Sequence, residues 1–529
     1  MMAKFEFTAL DACETLGEAC QTLAERFGDH IAFALDDDSV SFAKLDQVTD
    51  RIAAALVAEG CGIGARVALI GMDSLAGYLL LFGCAKAGCV LVPINWKLSA
   101  AELSRILDDC DAKLLFADNA SSDKLSGVRS SQQSQRGVLS IERFQQWLDR
   151  HDQCDAIEDT VAQGHFSETP VVQIYTSGTT GTPKGVVLSH RAFIRLRRQM
   201  RSQGDDWMGF SSSDRLLLSL PQFHIGGLWW AVQGFLSGST GYLMPSFVGW
   251  KAIELIVQRR VTQVPMVPAM IQFVLAEPTF TAADFSSVRG LLYGGSPIAA
   301  ELLAKAQAAF NNARFFQIYG LTETGNMAVC LRPEDHSDPA LASAAGQPLP
   351  GVECKVVGPD GGELDTGEVG EIWLRSPSAM LEYYRRPDET NATLVDGWVK
   401  TGDAGYLDGR GFLFVCDRIK DMIIYAGENI FPAEIETALR KHAAIADVAV
   451  IGVPDPKWGE SPKAFLVLRG DAEKPRVRDL LSFVRSELAE FKVPKSFEFV
   501  TQLPRNPSGK VLKTELRKPY WENHTRKVN

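Results

Sequence analysis

Short apolar runs alternate with stretches of helical length in the first part of the chain. Residues 66–71 (RVALIG), 89–94 (CVLVPI) and 113–117 (KLLFA) are each long enough for one buried strand. The last spacer starts with a predicted helix cap, because Ser99 is followed three residues later by Glu102. Strand patterns that alternate with helix patterns are typical of βαβ units, so we predict an α/β fold with a parallel sheet.

The length of 529 residues exceeds what one hydrophobic core supports, so more than one domain is expected. Residues 118–169 are polar, and we expect them to be exposed and partly mobile. A second run of strand and helix patterns covers residues 171–332, and strand patterns dominate beyond residue 346. After residue 420 the pattern changes to helix, strand, strand and helix, which predicts a separate α+β domain.

Charge, cysteines and hydropathy exclude several classes of protein. The net charge of -11 argues against nucleic acid as a partner, because phosphate backbones require a basic face. The ten cysteines include no C-x-x-C pair, so neither a zinc site nor a disulfide framework is indicated. The start has no signal-peptide pattern, and Gly83, Lys86, Gly88 and Pro93 interrupt the most apolar stretch, residues 75–94. We therefore expect a cytoplasmic protein without an integral membrane segment, in which residues 75–94 form a helix, a turn and a strand.

The strongest local signal is residues 175–185 (YTSGTTGTPKG), which lie between two apolar, strand-like runs. Glycines allow backbone N–H groups to converge on an anion, and hydroxyls and a lysine add further donors, so the segment predicts a polyphosphate-binding loop. Pro183 stands where a Walker A loop requires glycine, so it is not that motif. A hairpin turn that binds nothing is the alternative that composition alone leaves open.

The same segment resembles the signature loop of the adenylate-forming superfamily, which includes acyl-CoA synthetases, nonribosomal-peptide adenylation domains and beetle luciferases. Further segments resemble that family's motifs in the family's order: PQFHIGG at 221–227, YGGSP at 293–297, YGLTET at 319–324, GWVKTGD at 397–403, DRIKD at 417–421, YAGENI at 425–430 and NPSGK at 506–510. The resemblance implies an N-terminal body of stacked sheets with a small β-rich subdomain (residues 1–419), and a smaller, mobile α+β C-terminal domain (residues 420–529).

The resemblance also implies which residues carry the chemistry. Lys510 would bridge the acyl carboxylate and the α-phosphate of ATP, whose mutual repulsion is on the order of 4 kcal/mol at about 4 Å and an effective dielectric of about 20. Thr322 would donate to the α-phosphate and Glu323 would hold Mg²⁺, which prefers oxygen ligands. His224 is counted with these catalytic candidates, as a residue of the acyl pocket rather than a base. Without the motif, Lys510 would be an ordinary solvated lysine.

Further residues would contact the nucleotide or the thiol. Asp403 would accept from the ribose hydroxyls and Arg418 would add a second sugar contact, whereas Lys420 would be the hinge and Gly427 would leave room for the pantetheine arm. The remaining candidates for nucleotide binding are Thr176, Ser177, Gly178, Thr179, Thr180, Lys184, Gly294, Gly295, Ser296, Pro297, Tyr319 and Gly320.

The predicted enzyme is an AMP-forming acyl-CoA synthetase that uses ATP, Mg²⁺ and coenzyme A, as a monomer or homodimer. The pair Gly226-Gly227 leaves space, and Trp229 and Trp230 favour an apolar tail, so the predicted acid is a medium- or long-chain fatty acid or another bulky hydrophobic acid. The alternative is that these residues merely pack, in which case the sequence says nothing about the acyl group. An aryl acid is the runner-up. A carrier-loading adenylating enzyme, a luciferase-like oxygenase and a pseudoenzyme remain as alternatives; only 19 residues follow Lys510, which leaves no room for a fused carrier.

Overall fold

The computed structural model describes residues 10, 12–126, 128, 138–151, 167–177, 183–205, 208–425, 428–470, 472–505 and 511–522, with the backbone alone at Ser177 and Asn429. These residues form 26 strands. The strands are β1 (Ile31–Leu35), β2 (Asp38–Ser41), β3 (Arg66–Ile70), β4 (Val90–Ile94), β5 (Leu114–Ala117), β6 (Leu139–Ser140), β7 (Pro170–Ser177), β8 (Pro183–Ser189), β9 (Arg215–Leu218), β10 (Thr240–Leu243), β11 (Gln263–Met266), β12 (Gly290–Gly294), β13 (Arg314–Tyr319), β14 (Val329–Leu331), β15 (Gln347–Pro348), β16 (Glu353–Val357), β17 (Gly370–Arg375), β18 (Glu382–Tyr383), β19 (Leu394–Val395), β20 (Trp398–Leu407), β21 (Leu413–Arg418), β22 (Ile423–Tyr425), β23 (Glu428–Ile430), β24 (Ile445–Asp455), β25 (Gly459–Leu468) and β26 (Ser496–Phe499).

The same part of the chain forms 15 α-helices. They are α1 (Leu16–Phe27), α2 (Phe42–Ala58), α3 (Leu75–Ala87), α4 (Ala100–Cys110), α5 (Asn119–Leu125), α6 (Phe144–Arg150), α7 (Arg191–Ser202), α8 (Ile225–Phe235), α9 (Gly249–Gln258), α10 (Pro268–Ala276), α11 (Ala300–Ala309), α12 (Pro387–Thr393), α13 (Pro432–Arg440), α14 (Val477–Glu487) and α15 (Lys513–Trp521). Of these, none has both the length and the apolar content needed to span a bilayer.

The three apolar runs near the N-terminus are adjacent parallel strands, as predicted. β4, β3 and β5 lie side by side in a seven-stranded sheet with the order β18-β8-β7-β4-β3-β5-β6, in which β8 runs opposite to the other six strands. The predicted cap of α4 is present, since the Ser99 hydroxyl accepts from the backbone N–H of Glu102 and the Glu102 carboxylate accepts from that of Ser99. The strands and the helix cap that were predicted from short sequence patterns are therefore present, and the strands pair with one another as expected.

A second sheet has nine strands in the order β15-β14-β13-β12-β11-β9-β10-β1-β2. The six strands from β13 to β1 are parallel, and antiparallel strands close both edges. Helix α3 packs on β4 and β7 of the first sheet and on β1 of the second. It ends at Gly88, whose φ of 70° favours glycine, so residues 75–94 form the predicted helix, turn and strand. These two sheets make the predicted α/β body.

The chain divides into two compact units, Met1–Cys354 with Leu374–Lys400, and Lys355–Trp373 with Thr401–Asn529. It crosses between them within β16, β17 and β20, which belong to a five-stranded sheet with the order β16-β17-β20-β19 and β21 beside β20. The division expected at residues 419 and 420 stays a prediction.

The end of the second unit contains the predicted helix, strand, strand and helix, which are α13, β24, β25 and α14. Its sheet has the order β23-β22-β25-β24 with β26 beside β25. One hydrophobic core includes Ile435 and Leu439 of α13 with Leu480 and Val484 of α14, and it covers one face of this sheet. The α+β character read from the sequence is confirmed for this segment.

The polar stretch 118–169 is more ordered than expected where the structure describes it. Helix α6 buries Phe144, Trp147 and Leu148, and the rings of Phe144 and Trp147 pack against Phe116 of β5. The apolar residues of α6 follow the spacing of one helix face. A seven-residue helix among polar residues, however, gives too weak a periodic signal to be predicted from the sequence.

Candidate functional site

Three of the predicted motifs leave the same edge of the nine-stranded sheet. Parallel strands β9, β12 and β13 are followed by residues 221–227, 295–297 and 320–324, respectively. Because the carboxyl ends of parallel strands meet at one edge, the fold places the predicted acyl, adenine and phosphate segments along a common crevice. Ser296 and Pro297 are exposed there, and Tyr319 is partly buried.

Two of the predicted glycines allow close backbone approach at this edge. A Cβ on Gly294 would lie 2.4 Å from the carbonyl oxygen of Ile318 on the neighbouring strand, and one on Gly320 would lie 2.3 Å from that of Asn326. Gly295 has a φ of +76°, which L side chains rarely adopt. The glycines of these motifs are therefore required by the local backbone, whatever ligand the crevice holds.

Thr322 and Glu323 lie in a short 3₁₀ turn, Thr322–Thr324, directly after β13. The hydroxyl of Thr324 accepts from the Leu321 N–H at 2.9 Å and closes the turn. The carbonyl of Glu323 accepts from Met380 N–H at 2.8 Å. Backbone contacts on both sides therefore fix the direction of the Glu323 side chain.

Tyr383 connects Glu323 to Lys184. Its hydroxyl donates to Glu323 Oε1 at 2.7 Å, and the Lys184 ammonium lies 4.8 Å from the centre of its ring. Tyr383 belongs to β18, which pairs with β8, the strand that carries Lys184. The structure thus brings together two predicted residues that are 139 positions apart, through a tyrosine that the sequence reasoning missed. The two adjacent tyrosines, 383 and 384, were the one signal in the sequence that could have pointed to this residue. Strand β18 has two residues, which is too short to show the alternation of apolar and polar residues that marks a strand.

The glycine- and threonine-rich loop connects β7 and β8. Thr176 pairs with Lys184, and Ser177 with Pro183, at the ends of these antiparallel strands. Gly178, Thr179 and Thr180 lie outside the described residues. The sheet therefore holds Lys184 at the start of β8, opposite Thr176 at the end of β7.

Asp73 anchors the segment that contains His224. Both carboxylate oxygens of this buried aspartate lie 3.1 Å from the backbone N–H of Gln222, which donates to them. Burial raises the pKa of Asp73 to about 8, although the Gln222 N–H opposes that shift. Burial, with a smaller effect of Lys97, lowers the pKa of His224 to about 4. His224 is therefore neutral at physiological pH, which suits a pocket residue better than a cation.

The two tryptophans after this segment are core residues. Trp230 is fully buried, its indole N–H donates to the Leu217 carbonyl at 3.0 Å, and its ring packs edge-on against Phe210. Trp229 is buried as well. The bulk of Trp230 is thus used for packing, and it does not support the prediction of a bulky acyl group.

Asp403 and Arg418 form an ion pair within the second unit. Arg418 Nε lies 2.7 Å from Asp403 Oδ1, and the two residues face each other on β20 and β21. Lys420 lies in the 3₁₀ turn that follows, and burial lowers its pKa. Arg517 of α15 donates to the carbonyls of Lys420 and Asp421, so it fastens the predicted hinge segment. Gly427 and Lys510 lie outside the described residues.

A magnesium ion fits the chemistry of Glu323. Its second carboxylate oxygen, Oε2, has no hydrogen-bond partner among the residues that the structure describes. Within the same residues, no three Asp, Glu, His or Cys side chains group closely enough to hold a metal alone. An ion at Glu323 would take its other ligands from phosphate and water, as Mg²⁺ commonly does.

The comparisons with known proteins agree with this geometry. Residues 20–384 match the family model described as AMP-binding enzyme, and residues 434–510 match that of the AMP-binding enzyme C-terminal domain. The chain belongs to the AMP-binding enzyme family. It is an AMP-forming acid–thiol ligase, as the sequence predicts.

Similar proteins include a fatty acid–[acyl-carrier-protein] ligase of Streptomyces coeruleorubidus, which is 46% identical over 93% of each chain. A long-chain-fatty-acid–CoA ligase of Mycobacterium tuberculosis is 36% identical over 92% of this chain and 94% of its own. The o-succinylbenzoate CoA synthetase of Bacillus subtilis, solved with its acyl-adenylate intermediate, is 30% identical with a TM-score of 0.81, over 97% of this chain and 99% of its own. The same synthetase has been solved with ATP and a magnesium ion.

Replacing Tyr383 by Phe tests the link between Glu323 and Lys184 in this AMP-binding enzyme. The variant keeps the ring beside Lys184 but loses the hydrogen bond to the carboxylate, and hydrogen bonds to charged groups contribute about 1.5–3 kcal/mol. We expect kcat/KM for pyrophosphate release to fall by roughly tenfold or more, with a higher Mg²⁺ requirement. Tyr384→Phe is the matched control, because the Tyr384 ring packs under Arg66 at 4.0 Å. Equal effects of both substitutions would contradict the assigned role.

Replacing Asp73 by Asn tests the buried carboxyl. Its pKa rises from 3.8 to about 8 on folding, so between about pH 4 and pH 8 the folded protein binds the extra proton. The stability that this group contributes is present at low pH and is lost as the pH rises, by up to about 1.4 kcal/mol per pH unit. We expect wild type to lose stability relative to Asp73→Asn between pH 5 and pH 8, measured by urea unfolding. The exposed Asp37→Asn variant should follow wild type, and parallel curves for all three proteins would refute the prediction.

Proposed function

We propose that this enzyme condenses a fatty acid with ATP to form an acyl-AMP, and then transfers the acyl group to the thiol of a phosphopantetheine arm. The observation that carries the proposal is the group formed by Lys184, Tyr383 and Glu323. It joins a cation to a carboxylate that we assign to Mg²⁺, and the cation lies on β8, the strand that follows the proposed anion-binding loop. Anionic phosphates need both kinds of group close to the reacting atom.

In the first half-reaction a carboxylate oxygen of the acid attacks the α-phosphorus of ATP. The new P–O bond forms as the bond to the pyrophosphate oxygen breaks, and pyrophosphate leaves with the electron pair. Thr322 donates to the α-phosphate, and Glu323 would hold Mg²⁺, which would neutralise phosphate charge when bound. Lys510 bridges the two anions and leaves when they have reacted.

The ribose contact is proposed for Asp403. Its ion pair with Arg418, together with the hydrogen bond from Arg418 Nη1 to the Thr401 carbonyl at 3.2 Å, holds the carboxylate in one orientation. A preorganised acceptor loses little entropy on binding the two sugar hydroxyls. The family resemblance supports this role.

In the second half-reaction the thiolate attacks the acyl carbonyl carbon, and AMP leaves with its oxygen. We assign the hinge of the accompanying domain rotation to Lys420 and the open path for the arm to Gly427. The contacts from Arg517 to the Lys420 and Asp421 carbonyls would have to persist or exchange during this rotation, which makes Arg517 part of the proposed hinge.

The fatty-acid assignment is supported by the 46% and 36% identical relatives, both of which are fatty acid ligases. An aryl acid is the runner-up. The neutral His224 and the small Gly226 are compatible with an apolar tail, whereas Trp230 is used in the core.

Two candidate acceptors each carry a phosphopantetheine thiol. Coenzyme A is the acceptor that the sequence motifs favour. A free-standing carrier protein is the second candidate, and it is favoured by the more similar of the two relatives, which is named as an acyl-carrier-protein ligase. Both use the same chemistry at the acyl carbonyl.

A two-stage assay tests the proposed function. The enzyme is mixed with ATP, Mg²⁺ and an acid from a panel of fatty and aryl acids, and pyrophosphate release is measured. Coenzyme A or purified bacterial holo-acyl carrier protein is then added, and the acyl thioester is detected by mass spectrometry. No pyrophosphate with any acid would refute the adenylation step, and the acceptor that yields thioester at the higher kcat/KM decides between the two candidates.

Replacing Lys510 by Ala separates the two half-reactions. Loss of the bridging cation is expected to lower adenylation by at least a hundredfold, because the reacting anions then repel each other without compensation. Thioester formation from supplied acyl-adenylate should stay within about threefold of wild type. Lys518→Ala is the control, because it removes a positive charge at an exposed position near the C-terminus. Equal losses in both half-reactions would contradict the proposed departure of Lys510.

A further inference from the structure

Asp417 connects the strand before the proposed hinge to the helix after it. It lies near the end of β21, three residues before Lys420, and it is partly buried. Its Oδ1 accepts from the Arg418 N–H at 2.7 Å, and its Oδ2 accepts from the Ala433 N–H at 2.8 Å. Because Pro432 has no N–H, Ala433 carries the first backbone donor of α13, and such donors have no partner within the helix. The carboxylate therefore binds the N-terminus of a helix that lies beyond Lys420 in the chain.

A lysine beyond the hinge also acts on Asp417. The side chain of Lys513, the first residue of α15, is only 15% exposed, and its ammonium lies 2.8 Å from Glu436 Oε1 of α13. Burial opposes this charge, yet the pKa of Lys513 is raised, because the carboxylates of Glu436 and Asp417 favour the ammonium. Burial raises the pKa of Asp417, and Lys513 opposes that shift. One hydrogen-bond donor and one charge from beyond Lys420 thus hold Asp417.

The strand and the helix that Asp417 connects are packed together. Helix α13 packs on β21, although the two elements lie on opposite sides of Lys420 in the chain. Burial, with the nearby charge of Glu434 of α13, raises the pKa of Cys416 of β21 to about 11. β21 accordingly belongs to the same compact unit as the C-terminal segment. In this structure the two sides of the proposed hinge are therefore in contact.

A rotation about the backbone bonds of Lys420 would affect these contacts differently. Arg517 donates to the carbonyls of Lys420 and Asp421, which both lie on the C-terminal side of the rotating bonds. Those contacts turn with the C-terminal segment and persist. Asp417 lies on the other side of the bonds, and hydrogen bonds of this kind span only about 2.7–3.2 Å. A large rotation consequently carries Ala433 out of reach of Asp417.

We propose that Asp417 is a positioning residue, which acts as a latch by holding α13 against β21 in one conformation of the reaction cycle and releasing it in the other. The partners of the latch are the Ala433 N–H and the Lys513 ammonium. The inference rests on the proposed function, since that function requires the rotation about Lys420. A contact that is made in only one of two conformations favours that conformation, so loss of the latch changes the two half-reactions unequally.

Replacing Asp417 by Ala tests the latch through the two half-reactions. Pyrophosphate release, and thioester formation from supplied acyl-adenylate, are each measured in a single turnover. We expect the ratio of the two rate constants to change at least fivefold. Asp417→Asn retains a neutral acceptor and should change the ratio in the same direction by a smaller factor, whereas the exposed Asp479→Ala should leave it within twofold. Equal changes of both rate constants in Asp417→Ala would overturn the proposal, because that is the effect of a purely structural residue.

Limited digestion with trypsin tests the latch without any substrate. Cleavage after Lys420 requires this segment to leave its packed conformation. Asp417→Ala should therefore be cut there at least fivefold faster than wild type, relative to cuts elsewhere in the chain, whereas a general loss of stability would accelerate all cuts alike. An unchanged relative rate would refute the latch, whether or not the enzyme is active. If wild type releases no pyrophosphate with any acid but the variant is cut faster after Lys420, the proposed function fails and the contact across the hinge is confirmed.

Discussion

The hydrogen bond from Tyr383 to Glu323 joins two sheets that are separate in sequence and in pairing. Glu323 follows β13 of the nine-stranded sheet, and Tyr383 lies on the edge strand β18 of the seven-stranded sheet. A carboxylate at a strand end would otherwise sample several rotamers, and each would place a bound cation differently. The tyrosine restricts that freedom through Oε1, and Oε2 has no hydrogen-bond partner among the described residues. The same ring brings Lys184 close, so one side chain sets the distance between cation and carboxylate.

Buried polar groups connect the two sheets elsewhere as well. Asp73, which lies between β3 and α3, accepts from the Gln222 backbone after β9, and Gly77 is needed there because a Cβ would lie 2.4 Å from the Gln222 side-chain oxygen. Burial of this carboxyl is unfavourable for stability when the carboxyl ionises, since burial raises its pKa, and the Gln222 N–H offsets only part of that cost. The hydrogen bond between Asp73 and Gln222 instead fixes the position of the segment that leads to His224. Apolar packing alone would fix the position of this segment less closely, because it is not directional.

Local patterns predicted the strands β3, β4 and β5, the cap of α4, and the order of elements in the C-terminal segment. These features depend on a few residues that are neighbours in the sequence, so they can be predicted from the spacing of those residues. Tyr383 and Asp73 could not be predicted in the same way, because their roles arise from contacts with residues 60 and 149 positions away. Trp230 was misread for a related reason, since an aromatic next to a motif looks the same whether it lines a pocket or fills the core. The motif positions at Lys510 and Gly427 remain predictions.

Several unusual backbone features occur together at the turn after β13. Gly320 and Gly325 permit close backbone approach there, Gly325 and Asn326 both have positive φ, and Asn326 leaves an amide unpaired. Such features cost stability, and strained backbone is typical of segments that serve a function. The turn carries Glu323 on one side and faces Gly226 on the other. The Asn326 N–H donates to the Leu321 carbonyl at 3.0 Å and the Met380 N–H donates to the Glu323 carbonyl at 2.8 Å, so the backbone of this turn is fixed by contacts within it and by the segment before β18.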